Sequence, residues 1–91
     1  MKSIMQQDEC CYICGCTHNL EVHHVMSGTA NRRLSELYGL KVFLCRDHHT
    51  GSIGVHSDIF LKNRLERDAQ RAFERIYGHR MWMQTFRKNY L

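Results

Sequence analysis

Cysteine and histidine residues are concentrated between residues 11 and 56. This stretch contains a Cys-x2-Cys pair, Cys11 and Cys14, and, further along, a Cys-x2-His pair, Cys45 and His48. Ligand pairs at this spacing are typical of tetrahedral zinc sites, which join distant segments and leave no position open for a substrate. The sequence therefore predicts a structural zinc bound by these four side chains.

Two further cysteines flank the first pair and leave an alternative open. Cys10 or Cys16 could replace Cys11 or Cys14 as a ligand. Only Cys11 and Cys14, however, combine the two-residue spacing with a following glycine, which can adopt the backbone angles that turn two thiolates toward one ion. We therefore treat Cys10 and Cys16 as bystanders of the zinc site.

Two histidine doublets, His23-His24 and His48-His49, lie in the same stretch. Adjacent residues on a strand project to opposite faces, and adjacent residues in a helical turn point about 100 degrees apart. Each doublet therefore offers one member to a metal site and its neighbour to a different role. The surplus of histidines beyond the zinc ligands predicts a second metal centre, of a kind suited to chemistry on phosphate.

The chain of 91 residues is the size of one small domain, for which a structural metal compensates for a limited core. Its five cysteines are an odd number and no apolar signal segment precedes them. We therefore expect a reducing, cytoplasmic compartment and thiolate ligands in place of disulfides. No apolar run is long enough to span a bilayer, so no membrane association is expected.

Short secondary-structure elements are predicted around the ligand pairs, and longer helices after them. Alternating apolar residues indicate strands, and three- and four-residue spacing indicates helices. The predicted elements are a strand over 20–25, a loop over 27–31, a helix over 32–38, a strand over 40–44, a short turn over 46–50, a long helix capped by Ser57 and ended by Gly78, and a final helix over 80–86.

The apolar side chains of the last two helices are expected to take part in packing. Those of the long helix recur at helical spacing and predict one buried face, whereas the last helix should pack through Met81, Trp82 and Phe86. The predicted buried face comprises Phe60, Leu61, Leu65, Ala69, Ala72, Phe73, Ile76 and Tyr77.

Positive charge is concentrated in the C-terminal third of the chain. The net charge is +4, and residues 57–91 contain eight basic and four acidic residues, whereas residues 1–56 contain five of each. Such a localised excess suits a polyanion such as nucleic acid. Alternatively, nearby acidic residues pair with these arginines and leave an ordinary solvated face. The candidate DNA-binding residues are Arg32, Arg33, Arg64, Arg67 and Arg71.

The metal-ligand pattern resembles the HNH endonuclease family, in the subset whose zinc knuckle braces the catalytic finger; small phage-encoded recombination nucleases look similar. The resemblance covers residues 11–56 and not the C-terminal helices. It implies a small α+β domain over residues 1–91, zinc-stabilised and of the ββα-metal (HNH or His-Me finger) type. Residues 1–9 would be a flexible lead-in, 10–56 the knuckle and finger, and 57–91 a long helix and a short terminal helix.

The same resemblance implies roles for the remaining histidines. His23 and His49 match the family's ligands to the catalytic ion, and His24 matches its general base. His56 would be the third ligand, because Gly51 and Gly54 favour a bend that returns it toward His49. The sequence departs from the family at Leu40, where an Asn usually steadies the base, and Asn31 is a possible substitute.

The implied function is hydrolysis of DNA phosphodiester bonds by a metal-dependent nuclease. The cofactors would be a structural Zn²⁺ and a catalytic divalent ion, Mg²⁺, Mn²⁺, Ni²⁺ or Zn²⁺. A protein of phage or host recombination or packaging machinery is a possible partner, in keeping with a phage gene expressed in a bacterial host. The alternative is a noncatalytic zinc-dependent DNA-binding or adaptor module. Metal content and plasmid nicking would separate the two.

Overall fold

A two-stranded antiparallel sheet and four helices make up the computed structural model, which describes residues 2–91. This arrangement confirms the α+β class predicted from the sequence. The elements are β1 (Leu20–His24), α1 (Thr29–Tyr38), β2 (Lys41–Cys45), α2 (Arg46–His49), α3 (Ile59–Tyr77) and α4 (His79–Phe86).

The strand register fixes the position of the β1 histidines relative to Cys45. Leu20 pairs with Cys45, His23 with Val42 and His24 with Lys41. Cys45 therefore lies at the end of β2, where the chain turns at once into α2 with its histidine doublet. The sheet thus sets the distance between the β1 histidines and those of α2.

The N-terminal segment lies along the outer edge of β2. Ile4 N donates to Gly39 O at 2.9 Å, and Phe43 N donates to the Gln6 side chain at 2.8 Å. The flexibility of residues 1–9 stays a prediction, and Met1 lies outside the described residues. Hydrogen bonds to a strand edge can order an irregular segment that shows no hydrophobic periodicity.

The hydrophobic core is one cluster to which β2, α3 and α4 all contribute. Phe73 and Trp82 are fully buried with ring centroids 5.3 Å apart, and the Trp82 indole N–H donates to Lys88 O at 2.8 Å. Two residues predicted on the buried face are exposed, Phe60 by 81% and Ile76 by 58%. Periodicity identifies the apolar face of a helix. A residue on that face is buried only where another element packs against that part of the helix.

Helix starts also differ from the sequence predictions. Helix α1 begins at Thr29, three residues before the predicted Arg32, and α4 begins at His79. Helix α3 is capped by Asp58, whose carboxylate accepts hydrogen bonds from Phe60 N at 2.9 Å and Leu61 N at 3.3 Å. Ser57 was predicted as this cap, but its hydroxyl instead lies 3.4 Å from Gly51 O.

We expect Asp58→Ala to lower the free energy of unfolding by about 1 kcal/mol, because two backbone N–H groups lose their acceptor. The matched change Ser57→Ala should have an effect of under about 0.5 kcal/mol. Urea unfolding of the zinc-loaded variants, followed by far-UV circular dichroism, makes the comparison. The opposite ranking would show that Ser57 is the functional cap.

No helix in the described part of the chain is both long enough and apolar enough to cross a membrane.

Candidate metal centres

The first candidate metal centre joins three separate segments of the fold. Cys11 and Cys14 lie on the N-terminal turn, Cys45 ends β2, and His48 lies in α2. Their candidate ligand atoms all lie within 4.8 Å of one another. This cluster could therefore hold a metal ion, with the ligands that the sequence predicts.

The distances within this cluster fit tetrahedral zinc. Bonds of about 2.3 Å to sulfur and about 2.0 Å to nitrogen require S···S separations of about 3.8 Å and S···N separations of about 3.5 Å. The Cys14 and Cys45 Sγ atoms are 3.8 Å apart, and His48 Nδ1 lies 3.9 Å from Cys11 Sγ and 3.3 Å from Cys45 Sγ. The donor set and its spacing are consistent with a structural zinc.

The pKa values of the Cys11 and Cys14 thiols reflect how close these ligands lie to one another. Burial raises the pKa of the Cys11 thiol, but hydrogen bonds from the backbone of Cys14 and Cys45 outweigh it and lower the pKa to about 6. At Cys14, a backbone hydrogen bond from Cys16 favours the thiolate, but burial and hydrogen bonds to the Cys11 and Cys45 thiols raise the pKa to about 11. Both shifts describe one arrangement, in which a Cys14 thiol donates to a Cys11 thiolate.

The other two cysteines have partners outside this cluster. Cys10 Sγ lies 3.8 Å from the Gln6 side-chain nitrogen, and Cys16 Sγ accepts from His18 N at 3.3 Å. The structure therefore separates the four clustered ligands from the two alternatives that the sequence leaves open.

A second cluster consists of His23, His49 and His56, whose candidate ligand atoms also lie within 4.8 Å of one another. Imidazoles bound tetrahedrally through metal–nitrogen bonds of about 2.1 Å have ring centroids about 5.3 Å apart. The three centroid distances here are 5.1, 5.6 and 5.0 Å. This histidine triad could therefore hold a second ion.

A tight return loop brings His56 back to the other two histidines. Val55 N donates to His48 O at 2.9 Å, and the Val55 side chain is buried. Gly54 permits this approach, because a Cβ at that position would lie 2.8 Å from the backbone of His48. The chain thus bends after α2, as the two glycines of this loop predict, and His56 does not continue along a helix axis.

His23 is held in its neutral form. Its pKa is lowered to about 4, mainly by burial and also by the nearby rings of His49, His56 and His24, which are potential cations. A histidine binds metal through a neutral ring nitrogen, so His23 is ready to coordinate an ion at any pH well above 4.

Glu21 orients His49 from the adjacent strand. Its Oε1 atom lies 2.9 Å from His49 Nδ1. A carboxylate accepts, so Nδ1 carries the proton and Nε2 is left as the metal-binding nitrogen. Glu21 precedes His23 by two residues and so projects from the same face of β1.

We expect Glu21→Ala to weaken binding of the second ion by about ten- to a hundredfold, because His49 loses the partner that sets its ring orientation. Isothermal titration of the zinc-loaded protein with Ni²⁺ or Mn²⁺ measures the change. Glu9→Ala removes an exposed carboxylate that lies outside the triad and serves as the control. Equal affinities in the two variants would show that Glu21 does not support the ligand.

His24 diverges from His23, as expected for neighbours on a strand, and contacts Glu36 of α1. His24 Nε2 and Glu36 Oε1 are 2.9 Å apart. Asn31, the possible substitute for the family's Asn, makes no hydrogen bond to His24 within the described chain. Both β1 histidines nevertheless line one pocket of about 390 Å³, together with His49, His56 and residues that begin α1.

The candidate DNA-binding arginines have different surroundings. Arg32 lines the histidine pocket and Arg33 is exposed beside it on α1. On α3, Arg64 and Arg71 lie 3.9 and 3.7 Å from the Asp68 carboxylate. The alternative in which acidic residues partly neutralise this helix face therefore applies to these two arginines.

A larger cavity of about 930 Å³ lies between the N-terminal segment and the strands, where Lys2, Gln6 and Phe43 are among its lining residues. It contains no cluster of potential metal ligands in the described chain.

Comparisons with protein-family models, with curated proteins and with solved structures found no match. Two residues that contact the histidines were not predicted from the sequence, Glu21 and Glu36. Glu21 could have been found from its two-residue spacing to His23, which places both on one face of β1. No local sequence pattern marks Glu36.

Proposed function

We propose that this protein is a metal-dependent endonuclease of the HNH type that hydrolyses DNA phosphodiester bonds. Residues 10–56 would form its zinc-braced ββα-metal finger. One observation supports this most strongly: His23, His49 and His56 converge in a pocket that His24 and Arg32 also line. A purely structural zinc module has no need for a second, solvent-accessible triad beside a further histidine.

The two centres would have separate tasks. Cys11, Cys14, Cys45 and His48 would bind a structural Zn²⁺ that is closed to substrate. The histidine triad would hold the catalytic divalent ion, which when bound stabilises negative charge on the scissile phosphate and on the leaving 3′ oxygen. A set of three imidazoles without a carboxylate favours Zn²⁺ or Ni²⁺ over Mg²⁺.

His24 would act as the general base. Its Nε2 faces Glu36, which leaves Nδ1 to accept a proton from the attacking water. The resulting hydroxide oxygen bonds to phosphorus, the bond from phosphorus to the 3′ oxygen breaks, and solvent protonates that oxygen. The products are a 5′-phosphate and a 3′-hydroxyl.

DNA affinity would come mainly from contacts to phosphate. Arg32 lines the histidine pocket and Arg33 is the exposed residue that follows it in α1, whereas Arg64 and Arg71 share Asp68. We therefore rank the α1 arginines above those of α3. Binding through phosphates carries little sequence information and weakens with added salt.

Metal analysis and plasmid nicking test the proposal together. The parent should bind two divalent ions per chain and nick supercoiled plasmid in a series of Mg²⁺, Mn²⁺, Ni²⁺ and Zn²⁺. His49→Ala should retain one ion and lose nicking, whereas His18→Ala, at an exposed histidine outside both clusters, should match the parent. One ion per chain and no nicking with any metal would instead indicate the noncatalytic DNA-binding or adaptor module.

A further inference from the structure

The Glu36 side chain connects α1 to the sheet beside the histidine pocket. Its Oε1 atom lies 2.9 Å from His24 Nε2, and its Oε2 atom lies 2.7 Å from Lys41 Nζ. His24 and Lys41 are cross-strand partners in the β1–β2 register. The Glu36 carboxylate therefore contacts both His24 and Lys41, each through a different oxygen.

The contact determines which ring nitrogen of His24 can accept a proton. Hydrogen bonds from His24 and from Lys41 lower the pKa of Glu36 to about 2, so this carboxylate is ionised at neutral pH and can only accept. His24 must then donate from Nε2–H. In a neutral imidazole this places the lone pair on Nδ1.

Burial limits the other orientations of the ring. The His24 side chain is only 16% exposed, whereas the Glu36 side chain is 47% exposed. The ring is therefore enclosed while its carboxylate partner approaches from the solvent side. An exposed ion pair between Glu36 and Lys41 alone would contribute little to stability, so the contact of consequence is the one to the enclosed imidazole.

We propose that Glu36 is the positioning residue for His24, holding the ring with Nε2–H toward α1 and Nδ1 available to a water in the histidine pocket. This inference rests on the proposed nuclease function for its catalytic consequence. The orientation of His24 itself can be tested without activity.

Glu21 and Glu36 make the same kind of contact to histidines with different tasks. Glu21 contacts His49, a member of the metal-binding triad, and Glu36 contacts His24, which lies outside it. Removal of Glu21 should therefore change metal affinity, and removal of Glu36 should change turnover. A carboxylate with only a structural role would not separate the two quantities in this way.

The kinetic test compares three variants under steady-state conditions. Glu36→Ala should lower kcat by about ten- to a hundredfold with KM and second-ion affinity unchanged, because the base loses its orientation but DNA and metal contacts remain. Glu36→Gln keeps an oxygen acceptor and should recover most of this loss. Lys41→Gln leaves the Oε1 contact in place and should have the parent kcat.

A spectroscopic test does not depend on cleavage. In ¹⁵N–¹H spectra of the zinc-loaded protein, the His24 ring should show a protonated Nε2 with a slowly exchanging proton. This proton should exchange rapidly in Glu36→Ala and remain protected in Lys41→Gln. Each variant should show the parent far-UV circular dichroism.

The two tests separate failure of this inference from failure of the proposed function. If the parent shows no nicking with any metal but His24 Nε2–H is protected by Glu36, the nuclease proposal fails and the positioning contact stands. An unprotonated Nε2 in the parent overturns the positioning role. A parent-like kcat in Glu36→Ala, or equal losses in Glu36→Ala and Glu36→Gln, also overturns it.

Discussion

Cys11→Ala is expected to unfold the domain at room temperature, which is a larger effect than loss of a buried methyl-sized group would cause. Cys11 is only 2% exposed and belongs to the cluster that joins the N-terminal turn to β2 and α2. A structural zinc contributes about 10–16 kcal/mol of apparent binding free energy, which matches or exceeds the whole stability of a small domain. Far-UV circular dichroism and a thermal melt measure the loss.

Cys16→Ala provides the matched control for this prediction. Cys16 is partly buried like a ligand, but its Sγ atom bonds to the backbone of His18 and lies outside the cluster. Its replacement should leave the melt and the zinc content at parent values. If the thermal melt of Cys11→Ala matches that of the parent, the first candidate centre does not contribute to the stability of the fold.

His24→Ala should reduce the rate of DNA cleavage by about 10²- to 10⁴-fold, the range for removal of a general base. Folding and both metal centres should persist, because His24 belongs to neither ligand cluster. Single-turnover nicking with saturating Mn²⁺ or Ni²⁺ gives the rate, and metal analysis of the same preparation gives the stoichiometry.

Asn31→Ala is the matched control, since Asn31 is the residue that the sequence offered as a possible substitute for the Asn of the HNH family. It makes no hydrogen bond to His24 within residues 2–91, and alanine favours the helix that it occupies. The rate should stay within about twofold of the parent, a change well under 1 kcal/mol in the barrier. Unchanged nicking by His24→Ala would remove His24 as base and leave the triad without its proton acceptor.

The divergence of neighbouring side chains explains how one short stretch supplies two clusters that could hold a metal ion. In α2, His48 faces the thiols while His49 faces His23. On β1, His23 joins the triad while His24 turns to Glu36. The angle between successive side chains, set by helix or strand geometry, separates ligands that are adjacent in sequence.

Much of the fold was accessible from sequence because its signals are local. The two strands and the long helix follow from hydrophobic periodicity, and the α+β class follows from them. Element ends were less predictable, as Asp58 in place of Ser57 shows, because two neighbouring residues of good capping type compete and the packed geometry selects one.

The sequence by itself determined which side chains are suited to bind metal, because ligand type and two-residue spacing are properties of the local chain. Tertiary structure alone decided that the N-terminal segment lines β2, that Phe60 is exposed and that Glu21 and Glu36 contact the histidines. These features depend on contacts between residues far apart in the chain. Such contacts leave no periodic signal, since they arise only when the strands pair and α1 packs across them.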